Sequence, residues 1–174
     1  NLIMALTLNG SANTITPTSA VQPAGSILQV LQAVKTDTAT HDTTTWTDIT
    51  GLSVAITPSS TSNKVLVTFS GSANTANVGY IRLVRDSTVL GSGDASSNRT
   101  SCSCMFHRQS GDDQMLESFS NSFLDSPNTT SATTYKLQWR DESGAIYLNR
   151  SITDSDSASG VRVSSHITVM EVAG

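Results

Sequence analysis

The residues of this chain that could do chemistry are few. Three histidines, His41, His107 and His166, each stand alone in Ser/Thr-rich sequence. A serine or cysteine nucleophile needs a base within hydrogen-bond reach. No G-x-S-x-G elbow presents such a nucleophile, and no H-E-x-x-H would hold a hydrolytic zinc. Acidic pairs occur at Asp112/Asp113, Asp141/Glu142 and Asp154/Asp156. A glycosidase needs two carboxyls about 5–9 Å apart in a cleft, one with a raised pKa. All three pairs fall in turn-forming sequence, where acids solvate. The expectation is a protein that is not an enzyme, with a small polysaccharide-degrading activity as the least favoured alternative.

Metal chemistry fares no better. Cys102 and Cys104 lie two apart, which in a strand puts them on one face with Cα atoms about 6.5–7 Å apart, at the limit of disulfide reach. No second pair completes a zinc set. Both are expected to be reduced and half-buried. Asp154-Ser-Asp156-Ser-Ala-Ser-Gly160 is spaced like the start of a calcium loop but lacks the third ligand and the distal glutamate. No cofactor is expected; at most the Asp154/Asp156 loop would hold a weak calcium site between subunits. Asn98-Arg-Thr100 and Asn128-Thr-Thr130 are glycosylation acceptors only in a eukaryotic secretory setting.

Recognition remains. Loops at Thr36–Thr45, Gly91–Thr100, Arg108–Asp113, Arg140–Gly144 and Thr153–Gly160 carry side chains that hydrogen-bond sugar hydroxyls well. The candidate receptor-binding residues are His41, Asp42, Asn98, Arg99, Arg108, Asp112, Asp113, Asp141, Glu142, Asp154 and Asp156. Composition narrows the partners. The chain has 174 residues, a net charge of −4 and only 14% charged residues. No basic stripe suits nucleic acid, and no apolar run reaches the roughly 18 residues of a membrane span.

The elements that must position these loops read as strands. In Thr133–Arg140, Tyr135, Leu137 and Trp139 alternate with Lys136, Gln138 and Arg140. Period two without a slip makes a half-buried strand, which needs a second layer to cover its aromatics. Further strands are expected at Ile27–Val34 (covered on both faces), at Trp46–Thr57 (two short strands broken by Gly51), and at Lys64–Ser70, Val78–Arg85, Val89-Leu90, Ser101–His107, Ala145–Leu148 and Val161–Val172. In Gln114–Leu124 the spacing of Met115, Phe119 and Phe123 also suits a helix, but Ser118, Ser120, Asn121 and Ser122 favour a strand. About ten short strands with turns every 8–12 residues or so predict an all-β fold, an antiparallel β-sandwich. Residues 1–25 mix scattered Leu and Ile with Gly, Ser, Thr and two prolines, and read as an extended shaft or arm whose apolar residues are covered by neighbouring chains. Residues 26–174 form the head. With Asn1 in place of an initiating Met, the chain is expected to be processed or part of something longer.

Four segments carry a family resemblance: GSANTITPTSAVQPAGSILQV (10–30), FLDSPNTTSATTYKLQWR (123–140), SGAIYLNRS (143–151) and SSHITVMEVAG (164–174). Together they resemble the C-terminal heads of bacteriophage tail-fibre and related virion proteins. That resemblance implies a jelly roll similar to C1q and tumour-necrosis-factor heads. It also implies a homotrimer packed through one sheet around a three-fold axis, and a location in the virion after assembly in the host cytoplasm. The implied role is a fibre-tip adhesin for a bacterial surface glycan or outer-membrane protein, joined to other virion proteins through the N-terminal segment. The alternative is a capsid decoration or head-fibre protein. The 5% aromatic content is low for such heads.

Overall fold

The computed structural model describes residues 22–107 and 113–174. The expected arm therefore lies almost wholly outside the described residues, as do the candidates Arg108 and Asp112. The described chain forms eleven strands: β1 (Ile27–Lys35), β2 (Ala39–His41), β3 (Thr47–Ile56), β4 (Lys64–Thr75), β5 (Val78–Arg85), β6 (Thr88–Leu90), β7 (Cys104–His107), β8 (Glu117–Asp125), β9 (Thr133–Asp141), β10 (Ile146–Leu148) and β11 (Ser165–Val172).

Two antiparallel sheets result. In the first, β4 is flanked by β8 on one side and by β11 and β10 on the other, with β1 outside β11 and β2 outside β10. In the second the order is β3-β9-β5, with β6 and β7 sharing the far edge of β5. Successive strands cross repeatedly from one sheet to the other, the jelly-roll arrangement of a β-sandwich. The core between the sheets is built from the inward residues of each alternation, among them Val65, Val67, Phe69, Ile81, Leu83, Tyr135, Leu137, Ile167 and Val169.

Several boundaries differ from expectation for local reasons. Strand β3 is continuous: Gly51, at φ 89°, sits in a register irregularity between Asp48 and Ser53, so the glycine bends the strand without ending it. The expected loop at Thr36–Thr45 contains β2, which needs only the three pairings that β10 offers. The closing strand starts at Ser165, four residues later than expected; ahead of it Val163 N donates to Asn149 O at 3.3 Å. Buried Asn149 donates to the carbonyls of Lys35 and Asp37, both at 2.9 Å, and accepts from Ser165 Oγ at 2.7 Å. Segment 117–125 is a strand, with Phe119 packed between Phe69 and Phe106. Finally, β1 is not covered on both faces. It is an edge strand, and Val30 and Val34 are 55% and 53% exposed.

Two carboxylates tie the layers together. Asp125 on β8 accepts from Arg85 of β5 and from the Tyr135 hydroxyl of β9, each at 2.6 Å, so it bridges the sheets. Burial, followed by this bond to Asp125, pushes the Tyr135 phenol far up. Glu171 on β11 is 1% exposed and accepts from Gln29 Nε2 (2.6 Å), Ser59 N (2.6 Å), Ser59 Oγ (2.7 Å) and Asn63 Nδ2 (2.6 Å). Burial alone would raise its pKa. Donation to the charged form from Asn63, Gln29 and Ser59 outweighs burial and lowers it. The folded value therefore lies below the unfolded one, and the stability Glu171 contributes is complete above the ordinary glutamate range and lost as pH falls through the folded value. Glu171→Gln, which turns an NH2 group toward these donors, should cost about 2–3 kcal/mol at pH 7 in denaturant titration. The gap from wild type should close as pH falls below about 4.

Candidate binding surface

Strand directions give the sandwich two unlike ends. Gly25 N donates to Ala173 O at 2.8 Å and Ala173 N to Ser26 O at 2.9 Å, so the chain enters β1 and leaves β11 side by side. The connections 57–63, 86–87 and 126–132 share that proximal end. The connections 42–46, 76–77 and 142–145 lie at the opposite, distal end. Loop 149–164 leaves the first sheet and reaches the segment ahead of β8, where Thr153 N donates to Asp113 O at 3.1 Å.

Most of the described candidates belong to this distal region. Asp42 and Glu142 are exposed there. Glu142 pairs with Arg140 Nη2 at 3.1 Å. Arg140 Nε donates to Thr44 O at 2.7 Å and Nη1 to Thr100 Oγ1 at 2.8 Å, which joins loops 42–46 and 91–103. Asn98 and Arg99 are exposed on the latter loop, where Arg99 donates to Ser96 Oγ. Asp154 and Asp156 line a shallow depression with Arg162. Asp154 meets Arg162 directly, and the Arg162 hydrogen bond holds its carboxyl below the usual range. Arg150 lies on its other side at 3.9 Å. Two guanidiniums on one carboxylate disfavour a cation, and the described residues hold no cluster of three metal-ligating side chains. Cys102 and Cys104 are free, half-buried thiols, and Cys104 Sγ donates to Ser120 O at 3.7 Å.

Two candidates are interior residues. His41 is the last residue of β2, 9% exposed, with its ring stacked 5.0 Å from Trp139 and its two nitrogens 3.3 and 3.4 Å from Thr47 and Thr43 hydroxyls. Asp141 is 1% exposed and closes β9 where its amide donates to Thr43 O. Both read as loop residues because no strand is legible in the polar stretch Thr36–Thr45, where β2 lies, and because β9 runs one residue past Arg140, where polar composition ends it. In this conformation neither side chain lies on the surface of the distal loops. Among the described residues Asp141 Oδ1 meets no hydrogen-bond donor.

The sheet faces carry further chemistry. On the outside of the first sheet, the register aligns Val30, Met170, Leu66 and Leu124 in one row across β1, β11, β4 and β8. Val30 and Leu124 are exposed and the middle pair is half-exposed. On the outside of the second sheet, Asp48, Gln138 and Arg82 form a row across β3, β9 and β5, and Arg140 pairs with Tyr80 in the next row. Arg82 and Arg140 lie against the rings of Trp46 (4.2 Å) and Tyr80 (5.7 Å). Sequence reading found the alternation that turns these side chains outward. It had no signal for the strand register that gathers them.

No family model matches the chain, and no curated protein matches it. Over 97% of its length it is similar to a solved structure described as "Structure of infectious bursal disease virus Gx strain", at 10% identity and a TM-score of 0.40. The chain spans 42% of that relative's length. A likeness this distant carries no functional argument.

Burial raises the Asp141 pKa, against smaller opposing pulls from the Glu142 amide and His41; Glu142 and Asp42 push with burial. A raised acid favours the protonated folded state, so stability falls as pH rises from the ordinary aspartate value through the folded one. Asp141→Asn should stabilise the protein by roughly 1 kcal/mol at pH 7 and by nothing at pH 3, read from thermal melts at both pH values. This dependence is opposite in sign to that of Glu171.

Proposed function

We propose that the chain is the head of a bacteriophage virion fibre: a homotrimer held at its proximal end, binding a bacterial surface glycan or outer-membrane protein with the rest, and carrying out no reaction. The observation that carries this reading is the division of the sandwich into unlike ends. The chain enters and leaves at one end, where Gly25 bonds to Ala173, while exposed Asp42, Glu142, Asp154 and Asp156 stand on loops away from it. A head mounted on a shaft needs that polarity. The acidic pairs support binding over hydrolysis. Asp141 is buried, Glu142 is tied to Arg140, and Asp154 is tied to Arg162, so neither of the two fully described pairs offers one free acid and one free base to a shared substrate.

The trimer reading rests on the outer face of the first sheet. A four-strand apolar row with Val30 and Leu124 exposed is the surface a second copy would cover, and on edge strand β1 exposed Ile27 and Val34 extend it. A single-chain sandwich normally blunts such an edge with charge.

Light scattering should give about three times the chain mass of 18.3 kDa. Leu66→Glu, which puts a charge in the middle of the row, should give the monomer mass with an unchanged β circular-dichroism spectrum. A wild-type monomer, or a trimer indifferent to Leu66→Glu, overturns this interface. The adhesin role predicts that fluorescent chain labels some strains of a bacterial panel and not others. Labelling of none, or of all equally, overturns it.

A further inference from the structure

We propose that the outer face of the second sheet is a recognition site for acidic saccharides, with Arg82 as the group that takes the sugar carboxylate. The proposal rests on the adhesin reading and names its ligand class.

The centre of that face is an arginine without an acid. Arg82 Nε and Nη2 both donate to Gln138 Oε1, at 2.9 and 2.7 Å. The Gln138 amide is itself oriented from behind, donating to Asp48 Oδ1 at 2.6 Å, while Lys136 holds Asp48 Oδ2 at 2.8 Å. The one carboxylate of this network is thus taken up by Lys136 and Gln138. Among the described residues none pairs with Arg82. The guanidinium is half-buried under Trp46 at 4.2 Å, and burial is what lowers its pKa. A partly desolvated cation held in place by a neutral amide and a ring is prepared for an anion it does not yet have.

The neighbours fit a saccharide. Tyr80 is two residues from Arg82 on the same face, roughly 7 Å away along the strand, and Arg140 lies against its ring. Exposed Met105 is paired opposite Tyr80 on β7. Counting Arg82, Lys136 and Arg140 against Asp48 and Glu142, the face carries 3 − 2 = +1 in a chain of −4. A flat sheet face with two aromatic side chains accepts pyranose rings side on, and planar guanidinium and amide groups then meet ring substituents. An acidic peptide would instead seek a sheet edge or a groove.

The test uses the full chain and an alginate oligosaccharide, a polyuronate, in calorimetry. Its carboxyl-reduced counterpart and sulfated dextran serve as comparisons. The chain should bind the polyuronate and lose it on carboxyl reduction. Arg82→Gln should weaken binding about tenfold. Asp48→Asn, which removes a negative charge from the face while its remaining Oδ1 can still accept from Gln138, should strengthen it about two- to threefold, a gain that a folding defect cannot produce. The proposal is overturned if the wild-type chain ignores the polyuronate or binds the reduced form equally. Sulfated dextran bound as tightly by Arg82→Gln as by wild type, in step with the polyuronate, assigns the attraction to bulk charge and also overturns it. Should Arg82→Gln fail to fold, Asp48→Asn decides: a gain supports the site and no gain overturns it. Strain-selective cell labelling that survives loss of polyuronate binding leaves the adhesin reading standing while this one falls.

Discussion

The Glu171 carboxylate is the contact on which the proximal end depends. It sits in β11, the strand between edge strand β1 and long β4, and its acceptors are filled by Gln29 from β1 and by Ser59 and Asn63 from the turn that leads into β4. Every donor is neutral, so no salt bridge offsets the cost of burying the charge, and four short hydrogen bonds do. The same network holds Gly174, whose N donates to Asn63 Oδ1 at 3.2 Å. One buried acid therefore fixes the turn and the edge strand at the proximal end.

Asp125 does comparable work between the layers. Asp125 on β8 holds Arg85 and Tyr135 from the opposite sheet with one oxygen, and so sets the sheets' relative position. With the layers aligned, strand alternation produces three surfaces of different chemistry from the same strands. Odd-numbered residues of β4 and β9 fill the core. Even-numbered Leu66 joins an apolar row outside one sheet, and even-numbered Gln138 joins an arginine-rich row outside the other.

These two outer faces suit different partners. A row of Val, Met and Leu gains by being removed from water and suits a surface of the same kind, hence a second copy. A row of Asp, Gln and Arg gains only by exchanging water for a matched polar partner. The two faces point away from each other across the sandwich, so the proposed trimer, closed through the first sheet, would leave the second open to solvent.

The amino-acid sequence by itself determined the strands, because side-chain period is a local property: Tyr135, Leu137 and Trp139 alternate whatever packs beside them. It also determined the absence of a catalytic signature and the polar loops at 42, 98, 113, 142, 154 and 156. Phe119 and Phe123 lay at its limit, since a spacing of four fits a helix face and a strand face alike; only Phe119's packing between Phe69 and Phe106 separates the two. Tertiary structure alone decided which polar residues were interior. His41 and Asp141 read as loop side chains and are buried, because Trp139 comes from a strand almost a hundred residues from His41. It likewise decided that Arg82 meets Gln138 and Trp46, and that Leu66 meets Met170 and Leu124. Those pairings depend on register between distant strands, and register is set by the whole sandwich closing at once, not by the residues it brings together.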